Sequence, residues 1–190
     1  MNQIRLLTFF FVVIFIGCRP LKNLSPTTYQ IEPIKKNEFE KLNGRYYNFQ
    51  DTVFGKITHN PARGIDENNK KLLDRLFVFL PDKAYDNVVT VEIKFISNRL
   101  ATVNVYENDV FIFTKNISGK IKNGYFYVSP KVFIVPFFPI FYWHNFEQVR
   151  IGKVGNDIVL DHTLNSWGIT LFGGGSDKGF STSIYKKLKE

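Results

Sequence analysis

Strict alternation of apolar and polar residues between positions 88 and 106 is the feature that most constrains the fold of this 190-residue chain. In the run VVTVEIKFI, residues 88–96, a valine, isoleucine or phenylalanine recurs at every second position. The run LATVNVY, residues 100–106, repeats the pattern after a turn at Ser97-Asn98. A period of two residues is typical of a β-strand with one buried face. We therefore predict two antiparallel strands, with Val89, Val91, Ile93, Phe95, Ala101, Val103 and Val105 facing inward.

Tight-turn signals divide much of the remaining chain into further short strands. They stand at Asn108-Asp109, Ser118-Gly119, Asn123-Gly124 and Gly155-Asn156. The Asn-Gly pair is the strongest, because both residues tolerate the positive φ angles of a type I′ hairpin turn. This spacing predicts an all-β fold, an antiparallel meander of about eight to ten strands. Closure into a barrel is favoured over a sandwich, because closure removes exposed strand edges.

Helix is expected only near the start of this domain. Asn37 is a suitable N-cap for a short helix over the residues EFEKL, 38–42. The stretch 51–69 contains glycine and proline and is predicted to be a long loop. A second short helix is predicted within residues 67–76, with a strand over residues 75–80.

An apolar run, residues 6–17, ends at the only cysteine of the chain, Cys18. It is shorter than the roughly 20 apolar residues that cross a bilayer, and it has the basic start and small final residue of a secretory signal peptide. The residues Phe15-Ile16-Gly17-Cys18 resemble the lipobox of bacterial lipoproteins, with phenylalanine where leucine is usual. The resemblance implies that Cys18 is acylated and becomes the first residue of the mature protein. The alternative is a short buried helix with a core cysteine.

These features divide the chain into three parts. Residues 1–17 are expected to be removed as a signal peptide, residues 18–36 to form a lipidated tether with three prolines, and residues 37–190 to form the β-barrel domain. The formal net charge of +8 favours anionic surfaces. Export to the cell envelope argues against nucleic acid as a partner.

Three short motifs, LNGRYYN, GKIKNGYFYV and RIGKVGNDIVLDHTLNSWGITLFGG, resemble small, mostly uncharacterised envelope lipoproteins of Gram-negative bacteria. The exported domain of those proteins is a lipocalin-like β-barrel. The resemblance supports the fold and the location, and it implies a cavity for an apolar ligand. It transfers no catalytic residue.

The segment VFIVPFFPIFYWH, residues 132–144, breaks the alternating pattern, because it is apolar on both faces and contains Pro136 and Pro139. Proline cannot donate a hydrogen bond to a ladder, so the segment is not an interior strand along its whole length. Three interpretations remain open: a flap over the end of the barrel, a contact with membrane or lipid, and a contact with a partner protein. The candidate contact residues are Phe137, Phe138, Phe141, Tyr142 and Trp143.

The residues available for catalysis or metal binding are few. Acylation would occupy Cys18, and the histidines at 59, 144 and 162 do not stand at metal-ligand spacing. In a strand, Asp161 and His162 point to opposite faces and cannot form a dyad. His162 is therefore either a hydrogen-bonded core histidine or a polar group in a ligand cavity. We predict no cofactor, no metal and no enzymatic activity.

The sequence thus predicts a non-enzymatic, lipid-anchored lipoprotein of the bacterial cell envelope that binds a hydrophobic ligand or an envelope component. The alternative is an accessory subunit that docks onto an envelope assembly and has no ligand of its own. Arg19 stands where an aspartate would favour the inner membrane, so the outer membrane is preferred. The partners expected are the membrane, a lipid or other apolar ligand, and an envelope protein.

Overall fold

The computed structural model of the protein describes residues 30–58, 71–78, 89–137 and 140–189. In these residues the fold is all-β, with one antiparallel sheet and two four-residue helical segments. The helical segments are a 3₁₀ helix at Phe39–Leu42 and an α-helix, α1, at Leu72–Arg75. The ten strands are β1 (Gly44–Tyr47), β2 (Thr52–Thr58), β3 (Val89–Ser97), β4 (Leu100–Glu107), β5 (Val110–Lys122), β6 (Tyr125–Val128), β7 (Lys131–Phe137), β8 (Phe141–Val154), β9 (Asp157–Thr170) and β10 (Gly173–Tyr185).

The strands pair in the order β1-β3-β4-β5-β6-β8-β9-β10-β2, and β7 pairs with β8 beside this path. The predictions of an all-β class and of antiparallel pairing are therefore confirmed. Across the described strands, no continuous ladder joins the two ends of the path and closes the sheet into a barrel. Two backbone hydrogen bonds nevertheless connect β1 to the chain that follows β10. The N–H of Tyr47 donates to the carbonyl of Lys186 at 3.0 Å, and the N–H of Leu188 donates to the carbonyl of Arg45 at 2.8 Å.

The alternating residues of β3 and β4 form the centre of the core. The seven predicted inward side chains are all buried. In the observed register Val91 lies opposite Val105, and Ile93 lies opposite Val103. Burial of these aliphatic pairs stabilises the sheet, since each fully buried side chain contributes about 1.5–3 kcal/mol. The predicted face of this hairpin is confirmed.

Tight turns join several neighbouring strands as predicted. Asn123 and Gly124 have φ angles of 51° and 80°, as a type I′ turn requires, and Asn108 and Asp109 also have positive φ. Between β8 and β9 only Gly155 and Asn156 separate the paired residues Val154 and Asp157.

The predicted turn at Ser118-Gly119 is wrong, because β5 continues through these residues and changes its partner there. Ser118 pairs with Leu100 of β4, whereas Gly119 pairs with Val128 of β6. A Cβ atom at Gly119 would collide with the backbone oxygen of Tyr127 and the ring of Phe126. Glycine is therefore needed at this position for close approach of two strands, not for a turn.

The predicted loop over residues 51–69 is also wrong in its first half. Residues 52–58 form β2, which pairs with residues 178–184 of β10. This pairing joins segments that are more than 120 residues apart, and no local periodicity reveals it. Residues 59–69 lie outside the described part of the chain.

The helices differ in detail from the prediction. The first is a 3₁₀ helix that begins after Glu38 and has no side-chain cap, although a cap at Asn37 was expected. The second is the single turn α1, and residues 75–78 form its end and a turn rather than a strand. Phe77 has a φ of 58°, which is incompatible with extended backbone. Residues 79 and 80 lie outside the described residues.

The domain begins before residue 37, inside the segment assigned to the tether. The backbone N–H of Glu32 donates to the carbonyl of Lys153, and the N–H of Ile34 donates to the carbonyl of Gly124. Ile34 is buried in the core. Residues 32–34 therefore pack onto the end of the sheet where the β5–β6 and β8–β9 turns lie.

The close approach at Gly119 can be tested by substitution. We expect Gly119→Ala to lower the free energy of unfolding by about 1–3 kcal/mol, because β5 and β6 must separate to admit a methyl group. Urea denaturation would measure the change. The exposed neighbour Lys120→Ala serves as the control and should have little effect. Equal stability of the two variants would contradict the explanation given for the glycine.

Candidate functional site

Four strands continue beyond the core as a smaller sheet, which we call the distal arm (residues 131–137, 140–147 and 164–177). β6 pairs with β8 only at residues 150 and 151, and β7 takes its place along residues 141–147. On the other side, β2 pairs with β10 only from Lys178 onward. Among the described residues, β7 and residues 173–177 of β10 are therefore the two edges of the arm.

The distal arm contains almost no charged residues. Residues 132–146 and 164–176 include no aspartate, glutamate, lysine or arginine. The charged residues Lys131, Glu147 and Asp177 stand at the base of the arm, where it joins the rest of the sheet. A surface with this composition is much less costly to remove from water than the ordinary charged surface of a soluble domain.

Large apolar side chains cover the tip and both faces of the arm. At the tip, Phe172 is 99% exposed, Leu171 is 64% exposed and Ile140 is 50% exposed. The exposed apolar residues on the faces are Val132, Phe133, Ile134, Trp167 and Ile169. A group of exposed apolar side chains on one part of a domain marks a binding site more often than a single exposed side chain does.

Thr170 holds the tip in a defined conformation. Its hydroxyl donates to the carbonyl of Gly173 at 3.0 Å and accepts the N–H of Phe172 at 3.2 Å. The N–H of Leu171 donates to the carbonyl of Ile140 at 3.2 Å and so connects the turn between β9 and β10 to the residue before β8. Phe172 is thus presented to solvent by a hydrogen-bonded turn.

Aromatic rings form a layer below the tip. On one face the rings of Tyr142 and Trp167 lie 4.8 Å apart, and the ring of His144 lies 6.4 Å from Trp167. On the other face Trp143 covers Gly168, where a Cβ atom would collide with the indole ring. The layer therefore places two tryptophans on opposite sides of the same pair of strands.

A buried ion pair lies nearer the centre of the sheet. It is on the face of β8 and β9 that points away from the core, which we call the outer face. Arg150 Nε donates to Asp161 Oδ2 at 2.7 Å, and Thr182 Oγ1 donates to Asp161 Oδ1 at 2.6 Å. The guanidinium also lies 4.2 Å from the centre of the Tyr125 ring. Burial raises the pKa of Asp161, although the hydrogen bond from Thr182 and the charge of Arg150 favour its carboxylate form.

A second polar cluster lies on the opposite face of the same strands. This face packs in the core, and we call it the inner face. Arg75 Nη1 of α1 is 2.6 Å from His162 Nδ1, and His162 Nε2 is 3.5 Å from Glu147 Oε2. Because a guanidinium can only donate, Nδ1 accepts and the proton of the neutral ring is on Nε2, facing Glu147. Tyr185 also hydrogen-bonds Arg75, and burial raises the pKa of its phenol to about 12.

The structure separates the predicted contact residues into two groups. Phe141, Tyr142 and Trp143 begin β8 and belong to the distal arm. His162 is a buried residue of the inner cluster and lies on β9 away from the arm. The backbone of Phe137 pairs with Phe141 at the end of β7, whereas Phe138 and Cys18 lie outside the described residues.

In the described residues of the 132–144 segment, β7 pairs antiparallel with the start of β8. Pro136 lies on β7, which pairs only with β8, so the proline is on an edge strand as its missing donor requires.

The geometry brings together few groups that could act as acid and base. Asp161 and His162 do face opposite sides of β9, as the strand pattern predicted. His144 lies opposite Trp167, and Val149 lies opposite His162, so the two histidines also face opposite sides. Within the described residues, no group of three or more His, Cys, Asp or Glu side chains could hold a metal ion.

Sequence reasoning missed two features of these sites. The first is the Arg150–Asp161 pair, which follows from the register if Gly155-Asn156 is taken as a two-residue turn. The second is the tip, Leu171 and Phe172, which were not among the candidate contact residues. No sequence signal predicts the approach of Arg75 to His162 across 87 positions.

No protein-family model, curated protein sequence or solved structure matches this chain.

None of the helices in the described residues is long and apolar enough to cross a membrane.

The buried ion pair provides a stability test. We expect Asp161→Asn to lower the free energy of unfolding by about 3–5 kcal/mol, because Arg150 then stays buried without a counter-charge. Urea denaturation of the wild type and the variant would measure this. The matched control is Asp109→Asn. Asp109 forms an ion pair with Arg45 at 2.6 Å, but its side chain is 82% exposed, so the effect of this substitution should be small.

The double variant Arg150→Met, Asp161→Leu should recover most of the stability lost by Asp161→Asn, because neither charge is then buried. A loss at Asp161→Asn no larger than that at Asp109→Asn would contradict the importance assigned to the buried pair.

Proposed function

We propose that this protein is a non-enzymatic lipoprotein of the bacterial cell envelope, anchored through Cys18, and that its distal arm binds an apolar envelope component. The observation that carries the proposal is the uncharged arm with Phe172 fully exposed at its tip. Transfer of such side chains from water to an apolar surface is favourable, because it lowers the free energy. The sequence around Arg19 favours the outer membrane.

The anchor is supported by the N-terminal sequence. An apolar run of the length of a signal peptide leads directly to Gly17-Cys18, and this is the only cysteine in the chain. Two or more acyl chains on Cys18 would attach the protein stably to a membrane. The domain would then be displayed beside that membrane by the residues that follow.

The arm is a better binding element for an apolar component than the interior of the sheet. On the inner face, β3 and β4 supply packed aliphatic residues, and Arg75, His162 and Glu147 interact with one another. An apolar ligand inserted among these polar groups would leave them without hydrogen-bond partners, which is costly. The exposed apolar side chains of the arm lie in segments that contain no charged residue.

We also propose that the sheet is a lipocalin-like barrel, as the resemblance of the sequence implies. The bonds from Tyr47 to Lys186 and from Leu188 to Arg45 support this, because they bring β1 against the end of β10. In that arrangement the arm extends from the wall of the barrel, at the end away from the Gly155 turn.

A second candidate function is an accessory subunit that docks onto an envelope protein. The edges of the arm favour it, since β7 pairs only with β8 and residues 173–177 have only β9 as a partner in the described strands. A partner protein could add a strand to either edge. Co-purification of a stoichiometric protein that depends on the arm would favour this alternative.

The anchor can be tested by mass. For protein extracted with mild detergent from a Gram-negative host, we expect the intact mass of a chain that begins at Cys18 and carries acyl groups. Cys18→Ser should lack the acyl groups, because it lacks the thiol that forms the thioether. The control Ser25→Ala lies in the same segment and should be acylated like the wild type. An unmodified Cys18 in the wild-type protein would contradict the proposed anchor.

A further inference from the structure

We propose that the tip of the distal arm inserts shallowly into a lipid bilayer, and that this bilayer is a different one from the membrane that holds Cys18. The second part rests on the proposed function, because it requires the lipid anchor. The first part depends only on the arm. Together they describe a protein that is anchored in one membrane and contacts another.

The order of side chains along the arm indicates a bilayer as the occupant. The outermost of the described residues are Ile140, Leu171 and Phe172, which are purely apolar. The next layer contains Tyr142 and Trp167, whose rings lie 4.8 Å apart. Membrane-contacting proteins have this arrangement: their apolar side chains lie in the hydrocarbon, and tryptophan and tyrosine lie at the level of the headgroups.

The polarity continues to rise toward the base of the arm. Asn145 and Ser166 lie opposite each other below the aromatic layer, and the charged Glu147 follows two residues further along β8. Trp167 lies four positions before Leu171, which corresponds to about 13 Å along a strand. When the tip enters the hydrocarbon by about 5–10 Å, this length keeps Trp167 at the level of the headgroups. A protein pocket would not require this gradation.

The free edges of the arm limit the depth of insertion. Among the described strands, none lies beside the outer edge of residues 132–137 or of residues 173–176, and backbone groups exposed at such an edge would be costly in hydrocarbon. The tip turn has better-satisfied backbone, because Thr170 and Ile140 accept the N–H groups of Phe172 and Leu171. The tip should therefore enter by about 5–10 Å, as interfacial elements do, while the edges remain in the polar region.

The position of the tether favours a second membrane. The chain enters the domain at Glu32, whose side chain lies 3.2 Å from Lys153 Nζ and whose backbone bonds to that residue. Lys153 is at the end of β8 opposite the tip, and the 12 positions from Phe141 to Lys153 span about 40 Å. The tip and the anchor point therefore lie at opposite ends of the sheet.

The length of the tether makes it costly for the acylated Cys18 and the tip of the arm to lie in the same leaflet. The 14 positions from Cys18 to Glu32 reach at most about 50 Å. To place the tip in the anchoring leaflet, the tether would have to run back along the roughly 40 Å length of β8 in nearly full extension, with a loss of chain entropy. The entropy of the tether therefore favours contact of the tip with a membrane other than the one that holds Cys18.

The two tryptophans of the chain, Trp143 and Trp167, are both in the arm, so intrinsic tryptophan fluorescence reports on the arm alone. Full-length protein would be placed by its anchor in donor vesicles of phosphatidylethanolamine and phosphatidylglycerol. Protein-free acceptor vesicles of the same lipids would then be added, with brominated acyl chains in either the donors or the acceptors. Bromine quenches a nearby indole.

We expect quenching by brominated acceptors and clustering of donors with acceptors in light scattering. The variant Leu171→Ser, Phe172→Ser should reduce both signals by about tenfold or more, because it removes the two most exposed apolar side chains of the tip. The matched control is Ile96→Ser, Val110→Ser, whose side chains are 60% and 64% exposed on β3 and β5. It should behave as the wild type, and circular dichroism would verify that both variants are folded.

The other results would each overturn part of the proposal. Quenching by neither vesicle population, or equal quenching with the tip variant, would overturn insertion of the tip. Quenching by brominated donors alone would overturn the claim of a second membrane. If the protein does not float with the donor vesicles in a density gradient, the anchor is contradicted, and with it the claim of a second membrane. Direct addition of brominated vesicles to that protein would still test insertion of the tip separately.

Discussion

The register of β8 against β9 is the constraint on which the rest of the structure depends. The two residues Gly155 and Asn156 pair Val154 with Asp157, and every later pair along these 14-residue strands follows from that start. Because side chains alternate between faces, a slip of one residue would reverse the faces of an entire strand. The same register places Arg150 beside Asp161 near the core and Trp143 over Gly168 in the arm.

The hairpin of β8 and β9 lies in two different environments along its length. Near its turn, β8 and β9 are covered on both faces, so the adjacent residues Asp161 and His162 are both buried and each has its own arginine. Farther along, the same strands leave the core, and most of their side chains become uncharged and partly or fully exposed. The buried ion pair and the inner cluster thus provide a rigid base, since breaking either leaves a charge without a partner. A rigid base keeps the tip at a fixed distance from the point where the chain enters the domain.

The parts of the fold that depend on neighbouring residues could be predicted from the sequence. The inward residues of β3 and β4 follow from alternation, and the turn at Asn123-Gly124 follows from the φ angles its residues tolerate. The predictions were wrong where a glycine had two meanings. Gly119 permits two strands to approach, and Gly55 lies inside β2, yet both were taken as signs of turns or loops. The candidate site was predicted only in part, because Phe141, Tyr142 and Trp143 were identified and Leu171 and Phe172 were not.

The sequence by itself determined the β character of the domain, the buried face of its most regular hairpin, and the absence of charge in the two segments that become the arm. These are properties of short stretches, and side-chain periodicity and composition express them locally. Only the tertiary structure decided that the two uncharged segments lie side by side, that Arg75 reaches His162, and that residues 32–34 attach at the end opposite the tip. Those relations join residues far apart in the chain, and they arise from strand pairing and core packing, which no local pattern records.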